Sequence, residues 1–362
     1  MKRDDKMQLE VNTVVELKKL NLSKGDIVKV LGYYSNYDGA EHKRIISDTD
    51  NGSGIKLDNG LYGNIICDGE VKISWFGAKG DGVTDDTEAF KKAFNTKVTV
   101  NLSRKNYIIN STLFLNKYQV LKGNGAVIST NSDVVIIKCS DNNIIENLFF
   151  ENSQVQGTAI DFTQGFNNMI NNIQIKNYKK GLLFGRSVGN HSGNQITNLF
   201  ANKCEVGIYV DVRGEFSTFT NCTLSENQIA LKIIGGNTHF VGGNICNNEI
   251  GVEIGKGEND AHGLIAATSI KHNTKYAIVV DSPNVGEFLF EGISLYYGDI
   301  YLKDCKGIYF SNSTIDTANV FEENVTECKF KDINFFNKPI KNIPNYNNSV
   351  SSVLYENVRG KE

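Results

Sequence analysis

The chain lacks the long apolar runs and leader segments that mark membrane and secreted proteins. No run approaches the roughly eighteen consecutive apolar residues of a membrane-spanning helix. The amino terminus MKRDDKMQLE has no apolar core of a signal peptide. We therefore expect no membrane insertion and, if the protein acts outside a cell, release by a route other than the general secretory one.

Paired cysteines and an excess of one charge are missing too. The seven cysteines lie far apart with no CxxC pair, which argues against a disulfide framework or a zinc site and suits a reducing cytosol. We expect these thiols to be small core residues. A formal net charge of -3 from evenly mixed acids and bases gives no electrostatic reason to expect nucleic acid as a partner.

Proline is scarce, with three residues in 362, whereas glycine and asparagine are frequent and apolar residues come in short β-branched and aromatic runs. This composition indicates many short strands. One motif recurs, as in INNIQIKN, ITNLFANK and FTNCTLSE. Its copies start 20 to 26 residues apart, the period of one coil of a parallel β-helix, at Ile145, Ile170, Ile196, Phe219, Phe240, Ile265, Phe290, Phe310 and Phe330.

Two columns of small or amide residues follow from this alignment. Stacking places equivalent positions about 4.8 Å apart, where asparagine side chains can hydrogen-bond along the stack and asparagine or glycine tolerates a bend. The first column, two residues after each start, is Asn147, Asn172, Asn198, Asn221, Gly242, Ala267, Gly292, Asn312 and Asp332. The second, eleven residues after the start, is Gly181, Gly207, Ala230, Gly251 and Tyr276.

A stack of coils needs a cap at each end, and the stretch before the first coil predicts one. Asp85 with Glu88 reads as a capping box ahead of an amphipathic helix over about residues 84–95. We interpret Asp81, Asp85 and Asp86 as turn and helix-cap groups.

The stretch WFGAKGDGVTDDTEAF, Trp75 to Phe90, resembles a structural motif of the pectate-lyase-like superfamily of single-stranded right-handed β-helices and lies where that family has it. The segments LKKLNLSKGDIVKVLGYYSNYDG and NGLYGNII resemble the modules that precede such β-helices in bacteriophage tailspikes and tail appendages. We therefore predict an all-β, right-handed parallel β-helix. It comprises an attachment-like N-terminal β-rich module over 1–70, the β-helix with its capping α-helix over 71–335, and a C-terminal cap or tail over 336–362, where the coil pattern is lost.

The variable turns after the GIYV-type strands are the expected binding face, because loop insertions on one face of a repeat protein commonly carry function. One predicted cluster joins Asp161, Arg186, Asp211, Arg213 and Glu215. Aligned two coils apart, Asp161 and Asp211 would stand about 9 to 10 Å from each other, near the upper limit for inverting glycoside hydrolysis. Arg186 would keep one carboxylate ionised and hold an acidic sugar.

A second cluster is the alternative catalytic site. It comprises Glu258, Asp260, His262, Asp281 and Glu287, where a histidine beside paired acids suits general acid–base work or a metal. Further predicted substrate contacts are His191, Tyr296 and Tyr297, although on a β-helix the tyrosines are as readily core or subunit-interface residues. Surface charges on polar turns are the competing interpretation for every acid named.

The resemblance implies a phage tailspike-like protein that binds and depolymerises a bacterial surface glycan such as capsule, exopolysaccharide or teichoic acid. Hydrolysis by the carboxylates Asp161, Asp211 and Glu215 is the leading hypothesis, without a cofactor or metal. The alternatives are a non-enzymatic receptor-binding tail protein and a polysaccharide lyase, in which Arg186 or Arg213 is the base and a calcium ion is conceivable. A homotrimer, contacts to other tail proteins through the N-terminal module, assembly in the host cytoplasm and action outside the cell in a virion are the expectations.

Overall fold

The computed structural model describes residues 8–185, 193–257, 260–283, 285–336 and 353–360. The chain forms two compact units, residues 1–131 with 143–149 and residues 132–142 with 150–362. Among the described residues, no helix is both long enough and apolar enough to cross a membrane.

The first unit begins with a five-stranded sheet around its own core. Thr13 caps helix α1 (Val14–Lys19) by accepting the N–H of Glu16, and Leu17 packs into the fully buried core. Strand β1 pairs in parallel with β2, and the other pairs are antiparallel in the order β1-β2-β3-β5-β4. The strands are β1 (Gln8–Val11), β2 (Ile27–Val30), β3 (His42–Ser47), β4 (Ile55–Lys56) and β5 (Tyr62–Ile66).

Parallel pairing starts in the same unit, after a 3₁₀ helix at Ile73–Phe76. Strand β8 pairs with β6 and β11, and β9 pairs with β7 and β11. The elements are β6 (Glu70–Lys72), β7 (Asp81–Asp85), α2 (Thr87–Asn95), β8 (Thr99–Asn101), β9 (Asn106–Ile108), β10 (Leu113–Phe114) and β11 (Val120–Ser129).

The three aspartates before α2 bind backbone N–H groups around them. Asp81 accepts from Val83 and Thr84, and Asp86 accepts from Lys79 and Gly80 at 2.7 and 3.0 Å. These bonds close the turns that lead into the helix.

Helix α2 itself begins at Thr87, whose N–H donates to Asp85. Glu88 pairs with Lys91 instead of reaching back to Asp85. The helix therefore starts without the predicted capping box.

In the second unit, one strand of each coil forms a parallel sheet. Inward side chains such as Leu182, Ile208 and Leu231 are fully buried. The order is β12 (Val135–Lys138), β14 (Thr158–Asp161), β16 (Lys180–Phe184), β18 (Val206–Val210), β20 (Ile229–Ile233), β22 (Ile250–Ile254), β25 (Tyr276–Asp281), β28 (Asp299–Lys303) and β31 (Val320–Glu323).

The remaining strands of each coil form a second, bent parallel surface. Strand β13 (Ile144–Glu151) spans the division between the units. The others are β15 (Met169–Lys176), β17 (Gln195–Asn202), β19 (Ser217–Ser225), β21 (Gly236–Cys246), β23 (Ala261–Ala266), β24 (Ser269–Lys271), β26 (Val285–Glu291), β27 (Ser294–Tyr296), β29 (Ile308–Ser311), β30 (Thr314–Asp316), β32 (Cys328–Lys331), β33 (Asn334–Phe336), β34 (Val353–Glu356) and β35 (Arg359–Gly360).

The predicted coil register is confirmed. The coil starts from Ile170 to Phe330 pair one with the next as Cα partners. Every residue of the first predicted column has a positive φ, from 49° to 72°, so the chain bends there in the left-handed conformation that favours asparagine and glycine. The all-β parallel β-helix with its N-terminal module and short helix is therefore confirmed.

Two expectations about the coils were wrong. Strand β34 pairs in parallel with β32, so that Tyr355 lies opposite Phe330, and coil pairing continues where the pattern appeared lost.

In the second column, Ile250 pairs with Tyr276, so Gly251 faces Ala277 instead of Tyr276. The turn before Tyr276 has one more residue than the turn before Ile250, and this insertion shifts the alignment.

The interior also contains asparagine ladders that the sequence alignment missed. Asn248 accepts the N–H and side-chain amide of Asn227 and donates to Asn273, at 2.9 to 3.0 Å. Asn168 and Asn194 form a similar buried link. These ladders satisfy buried polar groups at the same turn of successive coils.

Candidate functional site

The turns that follow the first sheet of the second unit lie along one edge, which we call the loop edge. Their lengths differ between coils, as predicted, because the connection after β20 is Ile234–Gly235 alone. The described parts of the loop edge are 139–143, 162–168, 185, 193–194, 211–216, 234–235, 255–257, 260, 282–283, 304–307 and 324–327.

Asp161 is built into the sheet beneath this edge. Its side chain is 5% exposed and lies 3.5 Å from Lys138 Nζ, and its Oδ1 accepts the Thr163 N–H at 2.7 Å. A carboxylate with an ion-pair partner and a backbone donor is held in one place. These contacts indicate that Asp161 has a structural role.

The predicted equivalence of Asp161 and Asp211 is wrong. The register pairs Asp161 with Leu183, and Leu183 with Tyr209, so Asp211 stands two residues further along its strand. Two coils at about 4.8 Å and two residues at about 3.3 Å place the two Cα atoms about 12 Å apart. The two aspartates are therefore not the aligned pair that the sequence predicted.

Asp211 opens a tight turn on the loop edge. Its carbonyl accepts the Gly214 N–H at 3.1 Å, and its Oδ1 accepts the Val212 N–H at 2.7 Å. Arg213 occupies the turn with φ 63°. The turn returns the chain into the sheet at Glu215, whose residue is 8% exposed.

Glu215 and Asp260 approach the same backbone segment from opposite sides. Glu215 Oε2 accepts the Asn237 N–H at 3.1 Å, and the Asp260 carbonyl accepts the Gly236 N–H at 3.1 Å. Ser217 pairs with Thr238, and Gly236 pairs with Ala261. Gly236 lies against the backbone of Gly214, the residue before Glu215, and the acids lie on coils two apart.

A glycine separates these two acids. A Cβ on Gly236 would lie 2.9 Å from the backbone of Gly214, so no side chain fits between the coils there, and its φ is 80°. The coil between the two acids therefore presents only backbone at this position.

His262 and Asn237 complete this group. They are Cα partners, and the His262 Nδ1 lies 3.2 Å from the Asp260 carbonyl oxygen. The buried amide oxygen of Asn237 has no hydrogen-bond partner among the described residues. A Cβ on Gly286 in the next coil would lie 3.5 Å from the His262 Cβ, and a bulge places Glu287 as well as Gly286 opposite His262.

The structure thus joins Glu215 of the first predicted cluster to Asp260 and His262 of the second. Asp281 lies apart from them, 3.9 Å from Lys303 in an exposed ion pair, which is worth little. Arg186, His191 and Glu258 lie outside the described residues.

The two predicted tyrosines are on a different edge. Tyr296 ends β27, in register with Lys271 and Asp316, and Tyr297 lies in the following turn, stacked on His272. They do not join the acids of the loop edge.

Comparison with known proteins identifies the family. The sequence model of the rhamnogalacturonase A/epimerase, pectate lyase-like family matches residues 70–259, more than half of the chain. The chain belongs to this pectate lyase-like family. A search of curated protein sequences finds no match.

Several solved structures similar to this pectate lyase-like chain are phage tailspike proteins of low sequence identity, and the similarity concerns the fold. The tailspike protein of Acinetobacter phage vB_ApiP_P1 is 17% identical with a TM-score of 0.63, covering 98% of this chain and 72% of that one. Tailspike protein 2 of bacteriophage CBA120, in its enzymatically active domain, is 13% identical with a TM-score of 0.64, covering 98% and 63%.

A third similar structure is tailspike gp49 of Acinetobacter baumannii bacteriophage Fri1, a capsular polysaccharide depolymerase. It is 10% identical with a TM-score of 0.60, covering 97% of this chain and 76% of that one. The pectate lyase-like chain thus spans about two thirds to three quarters of these tailspike chains.

Sequence reasoning missed Gly236 and Asn237 as parts of the site of this pectate lyase-like chain. Both lie in GGN, just before the predicted coil start Phe240, and no charged side chain marks them. The signal available was the short connection after β20, which brings the flanking acids to one segment of backbone.

Proposed function

We propose that the chain is a phage tailspike-like protein that binds and depolymerises a bacterial surface glycan, such as capsule, exopolysaccharide or teichoic acid. The observation that carries the proposal is that two acids from coils two apart contact adjacent residues of the coil between them, the Glu215 carboxylate at the Asn237 N–H and the Asp260 backbone carbonyl at the Gly236 N–H. The pectate lyase-like family and the polysaccharide-degrading tailspike among the similar structures support it.

The spacing favours hydrolysis by a pair of carboxylates. Two coils at about 4.8 Å place the backbones of the two acids about 10 Å apart, and we propose that their carboxylates flank the bound sugar within the inverting range of about 6.5 to 9.5 Å. We assign Glu215, 8% exposed, as the acid beside the sugar oxygen. Asp260 is exposed and meets the water it would activate.

In the proposed step, a water oxygen bonds to the anomeric carbon while the bond to the leaving oxygen breaks. The leaving oxygen takes the proton of Glu215, and the water gives a proton to Asp260. The His262 ring and the Asn237 amide would bind sugar hydroxyls beside them. We give Asp161 a structural role in place of the catalytic role expected from the sequence.

Digestion of purified capsules, exopolysaccharides and teichoic acids tests the proposal, with polymer size and the chemistry of the new ends as readouts. We expect shortened polymers with saturated reducing ends for the wild type. Glu215→Gln and Asp260→Asn should each lower turnover by about 10²-fold or more, since each removes one proton-transfer group. Glu226→Gln is the control, because Glu226 forms an exposed ion pair with Lys203 on another turn.

The other outcomes separate the alternatives. Unsaturated uronate ends would assign a lyase and move attention to Arg186 and Arg213. Binding without shortening, on the polymer of a susceptible host, would assign a non-enzymatic receptor-binding protein. Unchanged turnover in both acid variants would refute the residue assignment.

We also propose assembly as a homotrimer in the virion, with the N-terminal module contacting other tail proteins. Sedimentation analysis tests the stoichiometry, because a trimer of the 40.1 kDa chain sediments well apart from the monomer. A monomer at micromolar concentration would contradict this part of the proposal and leave the chemistry of the loop edge untouched.

A further inference from the structure

A cavity lies on the edge formed by the turns after β21, β24, β27 and β30, which we call the turn edge. Its volume is about 580 Å³, and His272, Lys275, Tyr297, Gly298 and Asp299 are among the residues lining it. This size falls in the usual range of small-ligand sites. None of the acids assigned to the loop edge lines it.

Unequal turn lengths create this cavity. The turn after β21 has three residues (247–249), the turn after β24 has four (272–275), the turn after β27 has two (297–298) and the turn after β30 has three (317–319). The protruding turn is followed by a receding one, so a recess opens between them. A Cβ on Gly298 would lie 2.9 Å from the Ala277 Cβ, and only glycine lets the short turn sit this deep.

Two aromatic rings stand at this recess in an unusual backbone conformation. His272 and Tyr297 stack with centroids 4.8 Å apart and ring planes 13° apart, and Tyr297 is 54% exposed. Their φ angles are 53° and 52°. The same bend in other coils carries Asn177, Lys203, Glu226, Asn247 and Thr317.

A large ring on this bend has a cost. The left-handed conformation is uncommon for large side chains and costs on the order of 1 kcal/mol or more, and an exposed ring gains no core packing in return. Because lysine, glutamate and threonine occupy the same bend in other coils, the feature that points to a ligand is the exposed, stacked ring pair beside the recess.

Polar groups flank the rings. Asp299 Oδ1 accepts both the backbone N–H and the side-chain amide of Asn319, at 2.7 and 2.9 Å, which fixes the carboxylate. Its second oxygen receives no hydrogen bond from the described residues. Lys275 lies 3.8 Å from Glu249 in an exposed pair, so its ammonium has donors to spare.

We propose that the turn-edge cavity is a carbohydrate-binding site, separate from the loop edge, that takes one pyranose ring against Tyr297. The flat apolar face of the sugar covers the exposed ring, while Asp299 and Lys275 hydrogen-bond to its hydroxyl or carboxylate groups. A fixed aromatic face with a few convergent polar groups is the usual composition of a small-ligand site. The choice of a sugar as ligand rests on the proposed function.

Saturation-transfer NMR with the methyl glycosides of glucose, galactose, N-acetylglucosamine and glucuronic acid tests this site directly. We expect transfer to the ring protons of at least one glycoside. Tyr297→Asn should weaken that binding about tenfold, the loss of about 1.4 kcal/mol from one aromatic contact. Asparagine occupies the equivalent bend in other coils, so the backbone should fold unchanged, and circular dichroism checks this.

Tyr118→Asn is the matched control. Tyr118 is an exposed tyrosine, 74% accessible, with φ 63° in a turn of the first unit, and its replacement should leave the glycoside signal intact. No transfer from any of the four glycosides, equal transfer in Tyr297→Asn, or equal loss in Tyr118→Asn would each overturn the proposal. Polymer shortening by the loop edge is measured separately, so a chain that depolymerises glycan but fails these tests refutes the turn-edge site alone.

Discussion

A buried histidine should make the N-terminal module sensitive to acid. His42 is 5% exposed and lies beside the fully buried Arg44. Its Nε2 accepts the Arg44 Nε–H at 2.7 Å, so its Nδ1 donates to the Ala40 carbonyl at 2.6 Å. Burial, and then the charge of Arg44, lower the pKa of His42 from 6.5 to about 3.

The sign and size of the effect follow from this pKa. Above about pH 6.5, His42 is neutral in the folded and unfolded chains, so the free energy of unfolding is unaffected. As the pH falls below that value, only the unfolded chain takes up the proton, and stability is lost until about pH 3. Each pH unit costs about 1.4 kcal/mol, which gives about 3 kcal/mol at pH 4 and about 5 kcal/mol in full.

Trp75 reports this change without a label. It is the only tryptophan in the chain, its ring stacks on His42 with centroids 5.7 Å apart, and its carbonyl accepts from Arg44. Urea unfolding followed by tryptophan fluorescence at about pH 7, 5 and 4 measures the stability of this region.

The control variant is His42→Gln, because glutamine offers an acceptor to Arg44 and a donor to Ala40 but does not titrate. Carboxylates that titrate over the same range act on both proteins, so the difference between them isolates the histidine. We expect the wild type to lose about 3 kcal/mol more than the variant between about pH 7 and 4. Parallel pH profiles would refute the reasoning.

Three further substitutions test the β-helix. Asp161→Asn leaves Lys138 without its carboxylate and should destabilise the chain by about 1 to 3 kcal/mol. Glycan turnover in a digestion assay should be unchanged. Lost turnover at full stability would show that Asp161 belongs to the catalytic site. Asn248→Ala removes both links of a buried ladder and should cost about 3 kcal/mol in urea unfolding; a cost below about 1 kcal/mol would contradict the ladder. Phe310→Ala empties a fully buried position in a stack of rings about 4.6 Å apart. Calorimetry should detect a loss of about 3 to 5 kcal/mol in the free energy of unfolding. An unchanged melting temperature would contradict this prediction.

The residues of the candidate site could be predicted from the sequence, but which of them lie together could not. Glu215, Asp260 and His262 were all named from the sequence, because the turns after equivalent strands must lie side by side in a β-helix. Their grouping depends on registers within turns, where one residue more or less moves a side chain by about 3.3 Å. That is how Asp161 and Asp211 came to be aligned although they lie two residues out of step.

The sequence by itself determined the coil. An apolar start with an asparagine or glycine two residues later recurs often enough to set the register, since a shift of one residue would turn every apolar side chain outward. The tertiary structure alone decided what the turns create. The recess at Tyr297 and the approach of Glu215 to Asp260 arise from differences in length between stacked turns, and such differences acquire meaning only when neighbouring coils are in contact.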